Sequence, residues 1–180
     1  MVESWKPLNK KSYEHSIWRR IVDVDFEMPN GDIKTFSLKE EKEVVAVFAM
    51  DTEGNVILAR QFRPGPMEVL DELPGGAMDE NEDPECAALR ELREETGYEP
   101  KEVRSLGLMH ECAYSTIKRH VFIALDCEKV SEQNLDEEEY IEVIKKPVDQ
   151  FIHQLMQGAL TDPEVGWAAL YHLGLIKQSK

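Results

Sequence analysis

Apolar and polar residues alternate with a period near two along Ser16–Met28 and again along Asp32–Leu38. Such alternation places every second side chain on one face, so both stretches predict half-buried strands. Pro29-Asn30-Gly31-Asp32 lies between them, and its Asn-Gly pair accepts the positive φ of a tight turn. The two strands therefore form a predicted hairpin. Val44–Ala49 is continuously apolar, the pattern of a strand covered on both faces. A turn at Asp51–Asn55 leads into a strand over Val56–Phe62, and Arg104–Met109, His120–Leu125 and Ile141–Ile144 continue the series.

Three segments carry helical periodicity. In the first, Asp83 suits the N-cap, Pro84 the first helical position and Gly97 the position just past the end. The second starts at Pro147, gathers Val148, Phe151, Ile152, Leu155 and Met156 on one face, and stops at Gly158. The third has Asp162 as cap, Pro163 at its first position, and Val165, Ala169, Leu170 and Leu173 as its buried stripe. Strands before, between and after helices predict an α/β sandwich around a mixed sheet.

Composition narrows the function. Lys and Arg number 21 against 36 Asp and Glu, a net charge of -15. This surface lacks the clustered cations that nucleic acid requires, so nucleic acid is excluded as a partner. An anionic small molecule can bind only at a local patch or through a divalent cation that reverses the field. The longest apolar run, Val44–Met50, is seven residues, far below the ~20 of a membrane span, so no membrane association is expected. The N-terminus has no apolar h-region, and Cys86, Cys112 and Cys127 are an odd count without metal spacing. A reducing, cytoplasmic location is expected.

The chemistry concentrates between Gly75 and Tyr98. Glu91, Glu94 and Glu95 stand at i, i+3 and i+4 and share an arc of about 100° on one helical face. Ala88, Leu89 and Leu92 occupy another face, suited to packing on a sheet. Like charges at this spacing repel, and near a helix C-terminus they also oppose the macrodipole. Helix stability does not account for the cluster; a hard divalent cation with oxygen ligands does. The competing explanation is a solvated face, with Arg90 and Arg93 pairing the carboxylates.

The residues ahead of the helix decide between these. Gly76-x5-Glu82-x7-Arg90-Glu91-Leu92-x-Glu94-Glu95-x-Gly97-Tyr98 resembles the signature of the Nudix hydrolases. Seven fixed positions match, which at about one in fifteen per residue type arises by chance roughly once in 10⁸ starting points. The departure is Tyr98, where an aliphatic residue is more usual. The resemblance implies an α/β/α sandwich around a mixed sheet, a loop-helix-loop binding Mg²⁺ or Mn²⁺, and hydrolysis of a nucleoside diphosphate linked to another moiety. Arg60-Gln61-Phe62-Arg63, Glu72-Leu73-Pro74-Gly75-Gly76 and Leu135-Asp136-Glu137-Glu138-Glu139 look like the ADP-ribose pyrophosphatase branch. That branch implies ADP-ribose or another nucleoside diphosphate sugar as substrate, and a nucleoside monophosphate and sugar phosphate as products.

By this resemblance Glu91 and Glu95 are the principal metal ligands, Glu94 shares a metal, and Gly75 offers its backbone carbonyl. Glu82 anchors Arg90 or lies near the metals. Arg63 faces the diphosphate, and Glu72 the substrate or a metal-bound water. Glu137 is the first candidate for the general base and Glu139 the second. In Glu111–Arg119 the branch usually carries a Pro-Gly loop, but here Tyr114 stands where proline marks ADP-ribose hydrolysis. A tyrosine there is associated with dinucleoside polyphosphates; Tyr114 can stack on a base, and Lys118 and Arg119 can reach a terminal phosphate. Alternatives are therefore a dinucleoside polyphosphate or oxidised nucleotide hydrolase, and a non-catalytic nucleotide-sensing module. His110 and His120 fit strand positions, and Cys86 fits packing.

The expected organisation is an N-terminal hairpin segment, residues 1–41, followed by the Nudix domain, residues 42–180. A two-stranded hairpin is marginal in water unless it packs on something. Trp18, Ile21, Val24, Phe26 and Phe36 offer an apolar surface, and the resembled branch builds its pocket from two chains. A homodimer with Trp18–Leu38 at its interface is expected.

Overall fold

A computed structural model describes residues 2–16 and 19–176. Two compact units emerge: Met1–Glu43 with Met109–Arg119, and Val44–Leu108 with His120–Lys180.

In the first unit, β1 (Lys6–Ser16), β2 (Arg19–Glu27) and β3 (Ile33–Glu40) form an antiparallel sheet in the order β1-β2-β3. The expected hairpin is β2–β3, closed by the Gly31 N–H donating to the Met28 carbonyl at 2.8 Å. The third strand, β1, has no signature in the sequence. All eleven of its residues are exposed, so burial selected no alternation, and backbone pairing with β2 supports the strand instead. The Trp5 ring sits 6.2 Å from Phe26 and 5.3 Å from Phe36, forming an aromatic cluster. Val24, expected at an interface, is already buried, and Trp18 lies outside the described residues. The segment Met109–Arg119 joins this unit because the Lys39 N–H donates to Tyr114 O and the Thr116 N–H to Lys39 O, at 2.8 and 2.9 Å.

The second unit is built on a seven-stranded sheet of β4 (Val44–Asp51), β5 (Asn55–Arg63), β6 (Glu68–Glu72), β7 (Tyr98–Glu99), β8 (Glu102–His110), β9 (Lys118–Lys129) and β10 (Glu142–Pro147). Its path is β10-β5-β4-β9-β7, with β6 added to β5 and β8 to β9. The helices are α1 (Pro84–Thr96), α2 (Val148–Met156) and α3 (Pro163–His172). Strand alternation separates the two faces of β4. Val45, Val47 and Ala49 pack with Ala87, Ala88 and Leu92 of α1, whereas Phe48 meets Phe151 of α2 edge-on at 5.6 Å. Helices thus cover both faces of the sheet, as the α/β/α expectation requires. Burying Leu92 alone contributes about 1.5–3 kcal/mol.

The caps of α1 are those expected. The Asp83 side chain accepts from the N–H groups of Glu85 and Cys86, and Gly97 closes the helix at φ 78° with its N–H on Arg93 O. Four details differ. Met156 is 75% exposed, and Gln154 takes the buried place because its amide bonds the carbonyls of Asp71 and Ala159. Asp162 precedes α3 but makes no capping hydrogen bond, and Leu173 is only half-buried. Cys86, assigned to packing, is exposed, while Cys127 is the buried cysteine. The short strands β6 and β7 escaped notice because they depend on partners: β6 pairs with β5, and β7 with the end of β9.

Candidate active site

The loop Leu73–Ala77 brings backbone against the carboxylate face of α1. It is tied to β4, where Val47 N–H donates to Pro74 O and Val45 N–H to Gly76 O, at 2.8 and 2.9 Å. Among the described residues no backbone N–H takes the intervening Gly75 carbonyl. Glycine is required at position 75, and at 76 it leaves the Glu91 carboxyl undisturbed. A Cβ on Gly75 would lie 2.2 Å from the Val45 carbonyl oxygen, and one on Gly76 would lie 2.7–2.8 Å from the Glu91 carboxyl group. Any side chain at position 76 would fill the space in front of Glu91.

Beneath this loop Glu95 is 4% exposed and Glu91 9% exposed. Glu95 Oε2 accepts from the Gly75 N–H at 2.9 Å. Burial, reinforced by the charges of Glu91 and Glu139, pushes the Glu95 carboxyl up to about 8 despite that bond and despite Arg63. Burial also raises Glu91, against the pull of Arg90. Burial thus disfavours the charged form of both groups, and added positive charge would offset it.

Arg90 organises the other side of the face. Its Nε and Nη2 grip both oxygens of Glu82 at 2.9 Å, and Nη1 reaches Glu91 at 2.9 Å and Glu94 at 3.0 Å. The Arg90 guanidinium, helped by the Asp79 N–H, holds the Glu82 carboxyl down at about 2. Of the two roles open to Glu82, anchoring Arg90 is the one the geometry displays. The idea of a solvated face is half right: Arg90 pairs Glu91 and Glu94, but Glu95 is sealed from water and from Arg90. Among the described residues no three acidic, histidine or cysteine side chains converge as a ready-made metal cage.

On the neighbouring strands Arg63 Nε donates to Glu72 Oε2 at 2.7 Å. Burial works against the Arg63 charge, but Glu72, with Glu95 and Asp162 nearby, raises its pKa. Glu72 is 2% exposed, and its other oxygen, Oε1, is buried without a hydrogen-bond partner. An orphan acceptor of this kind calls for a ligand, a water or a cation. The donor set suits a hard cation: carboxylates of Glu91, Glu94 and Glu95, the Gly75 carbonyl, and no sulfur or imidazole.

The acidic loop divides. Glu137 is exposed, whereas Glu139 is half-buried, and it is Glu139 whose charge acts on Glu91 and Glu95. Tyr114 and Arg119 belong to the first unit; Tyr114 is 59% exposed and Arg119 is buried at 8% exposure. His110 and His120 lie in β8 and β9, as expected of strand residues. Two residues near the site had no functional role in the sequence reading: Asp162, read only as a helix cap, acts on the charge of Arg63, and Gln133 stands at the root of the acidic loop. Gln133 belongs to no motif, so only folding reveals it.

Comparison with known proteins bears on this arrangement. An ADP-ribose pyrophosphatase of Bacillus subtilis (strain 168) is 30% identical over 157 residues, spanning 84% of this chain and 85% of the relative. A methanol dehydrogenase activator of Bacillus methanolicus is 28% identical over 149 residues, spanning 82% and 80%. The crystal structure of an ADP compounds hydrolase shares the fold, with a TM-score of 0.77 at 21% identity over 98% of this chain and 99% of that one. Residues 40–165 match the NUDIX domain, a span that contains the glycine loop, α1 and the acidic loop. The chain belongs to the Nudix family of hydrolases.

Proposed function

We propose that this hydrolase cleaves the diphosphate bond of ADP-ribose or a closely related nucleoside diphosphate sugar, releasing a nucleoside monophosphate and a sugar phosphate. The observation that carries the reading is the sealed Glu91–Glu95 pair under the Gly75–Gly76 loop, two carboxyls whose charged forms burial disfavours. A ligand-sensing module has no need of such a pair. A divalent cation, Mg²⁺ or Mn²⁺, would neutralise it, and when bound supplies charge for the diphosphate and acidity to a water. Glu91, Glu94, Glu95 and the Gly75 carbonyl are the residues that would hold it. Arg63, steadied by Glu72, presents a guanidinium to the phosphates. Glu139, half-buried and acting on Glu91 and Glu95, is our candidate to accept the proton of the attacking water, ahead of the exposed Glu137. The ADP-ribose pyrophosphatase of B. subtilis supports the substrate class.

A panel of ADP-ribose, other nucleoside diphosphate sugars, dinucleoside polyphosphates and oxidised nucleotides, each with Mg²⁺ and read by phosphatase-coupled phosphate release, tests this. The expected result is turnover fastest on a nucleoside diphosphate sugar and abolished by excess EDTA. Preference for a dinucleoside polyphosphate would favour the alternative attached to the exposed Tyr114, and full turnover in EDTA would remove the metal role of α1.

The protein acts as a homodimer in the cytoplasm on this reading. No helix among the described residues is long and apolar enough to cross a membrane. Its three cysteines are free, in keeping with a reducing compartment. The first unit carries Trp5, Leu8, Tyr13 and Ile33 as exposed apolar side chains, a surface suited to a second copy. Sedimentation equilibrium at micromolar protein should return twice the 20.7 kDa chain mass; a mass of one chain refutes the dimer.

A further inference from the structure

A helix ends with carbonyls that have no partner in the helix, and they must be satisfied elsewhere. At the end of α1 the Gly97 N–H takes Arg93 O at 2.8 Å. The next two carbonyls, Glu94 and Glu95, are taken by the root of the acidic loop. Asn134 N–H donates to Glu94 O at 2.9 Å, and the Gln133 side-chain Nε2 donates to Glu95 O at 2.6 Å. The same Nε2 also reaches Ile141 O at 3.1 Å. Both partners are backbone carbonyls, so the amide must present its NH₂ group to them, and its two hydrogens serve one carbonyl each.

Gln133 and Ile141 bracket the loop of residues 134–140. One side chain thus closes that loop at both ends and fastens the closure to the last turn of the helix that carries Glu91, Glu94 and Glu95. Inside the loop a tight turn presents Glu139: its N–H donates to Asp136 O, and its Oε2 accepts from the Asp136 N–H, both at 3.0 Å. With the ends free, this loop would sample many conformations, and its carboxylate would seldom face α1.

We propose that Gln133 is a positioning residue for the hydrolysis, an amide clamp that registers the acidic loop on the catalytic helix and so sets Glu139 opposite Glu91 and Glu95. This rests on the assignment of Glu139 as proton acceptor. Gln133 touches neither the reacting atoms nor a cation ligand's side chain. Its loss should therefore lower kcat and leave KM and metal affinity in place.

The test is a double-mutant cycle of Gln133→Leu and Glu139→Gln, measured as kcat and KM on ADP-ribose with saturating Mg²⁺, together with amide hydrogen exchange over residues 134–140. Gln133→Leu should cut kcat at least tenfold with KM within twofold, and should accelerate exchange in the loop. Gln133→Glu, equal in length but without donors, should lose as much, which separates the hydrogen bonds from shape. In the Glu139→Gln background Gln133→Leu should cost nothing further. If Glu139→Gln lowers kcat but Gln133→Leu matches wild type, leaves loop exchange unchanged, or adds its full effect in the double variant, the clamp is refuted and Glu139 stands. If Glu139→Gln is silent, the assignment of Glu139 falls and the clamp's role in the reaction falls with it. Should Gln133→Leu fail to fold, Gln133→Asn, which keeps the amide but shortens its reach, serves in the same comparison.

Discussion

Two carboxylates in this molecule expose almost equally little surface, Asp51 at 5% and Glu95 at 4%, but Glu95 lies far deeper in the protein, and they behave in opposite ways. Asp51 closes the β4–β5 turn. Its Oδ1 accepts from the N–H groups of Glu53 and Asn55 at 2.9 and 2.8 Å, and Oδ2 pairs with Lys145 at 2.7 Å. Burial opposes its charge, yet Lys145 and the amide donors more than compensate, and its pKa is lowered. Glu95 has one donor, the Gly75 N–H, and two carboxylates as neighbours, so burial prevails. Low exposure alone therefore does not mark a functional acid. What distinguishes Glu95 is deeper desolvation that the Gly75 N–H and Arg63 do not offset, a condition common at sites that complete themselves with a ligand.

Mutation should separate the two most sharply. Glu95→Gln and Glu91→Gln are each expected to cut kcat more than a hundredfold, the scale of losing ~3 kcal/mol of electrostatic stabilisation, with thermal stability unchanged or higher. Asp51→Ala should do the reverse, with kcat near wild type and about 2–3 kcal/mol of stability lost, because the β4–β5 turn loses two backbone hydrogen bonds to a charged acceptor. Near wild-type turnover in both glutamine variants, or an inactive but fully stable Asp51→Ala, would erase the contrast.

Titration gives the smaller effect, with opposite signs. In metal-free protein the folded Glu95 carboxyl titrates at about 8, against an ordinary 4.5. The folded state holds that proton more tightly, so Glu95 adds stability below 4.5 that is lost as pH rises through about 8. Asp51, lowered from 3.8, contributes stability above that value, lost as pH falls through its folded pKa. Thermal melts in EDTA should show a decline from pH 5 to pH 8 that Glu95→Gln flattens and that Asp51→Asn leaves in place. Excess Mg²⁺ should offset the decline, since cation and proton compete for the same carboxylate. A melt that is flat in EDTA and unaffected by Glu95→Gln would mean that Glu95 is not desolvated as described.

Much of the site was legible before folding because its parts are local. The spacing Glu91–Glu94–Glu95 is a helical face, Asp83 and Gly97 are caps, and Gly75–Gly76 is a backbone that must pass close to something. Each follows from residues within one helix or turn. The paired carboxylate Asp51 was legible only as a turn residue, since its counter-ion, Lys145, comes from β10.

The sequence by itself determined the family: seven box residues in one register, an acidic loop, and the glycines that allow a close approach to the helix. The apolar run of β4 and the caps of α1 also determined that a helix would lie on a strand with its acids facing away. Only the tertiary structure decided how the acids are buried and paired. It sealed Glu95, gave Arg90 to Glu82, Glu91 and Glu94, set Glu139 rather than Glu137 toward the helix, and made Gln133 the clasp between them. It also exposed Met156 in favour of Gln154, against the hydrophobic pattern. The physical reason is common to all of these. Helical and strand periods are set by local backbone geometry, whereas desolvation, ion pairing and the satisfaction of helix-end carbonyls depend on neighbours that only the fold brings together.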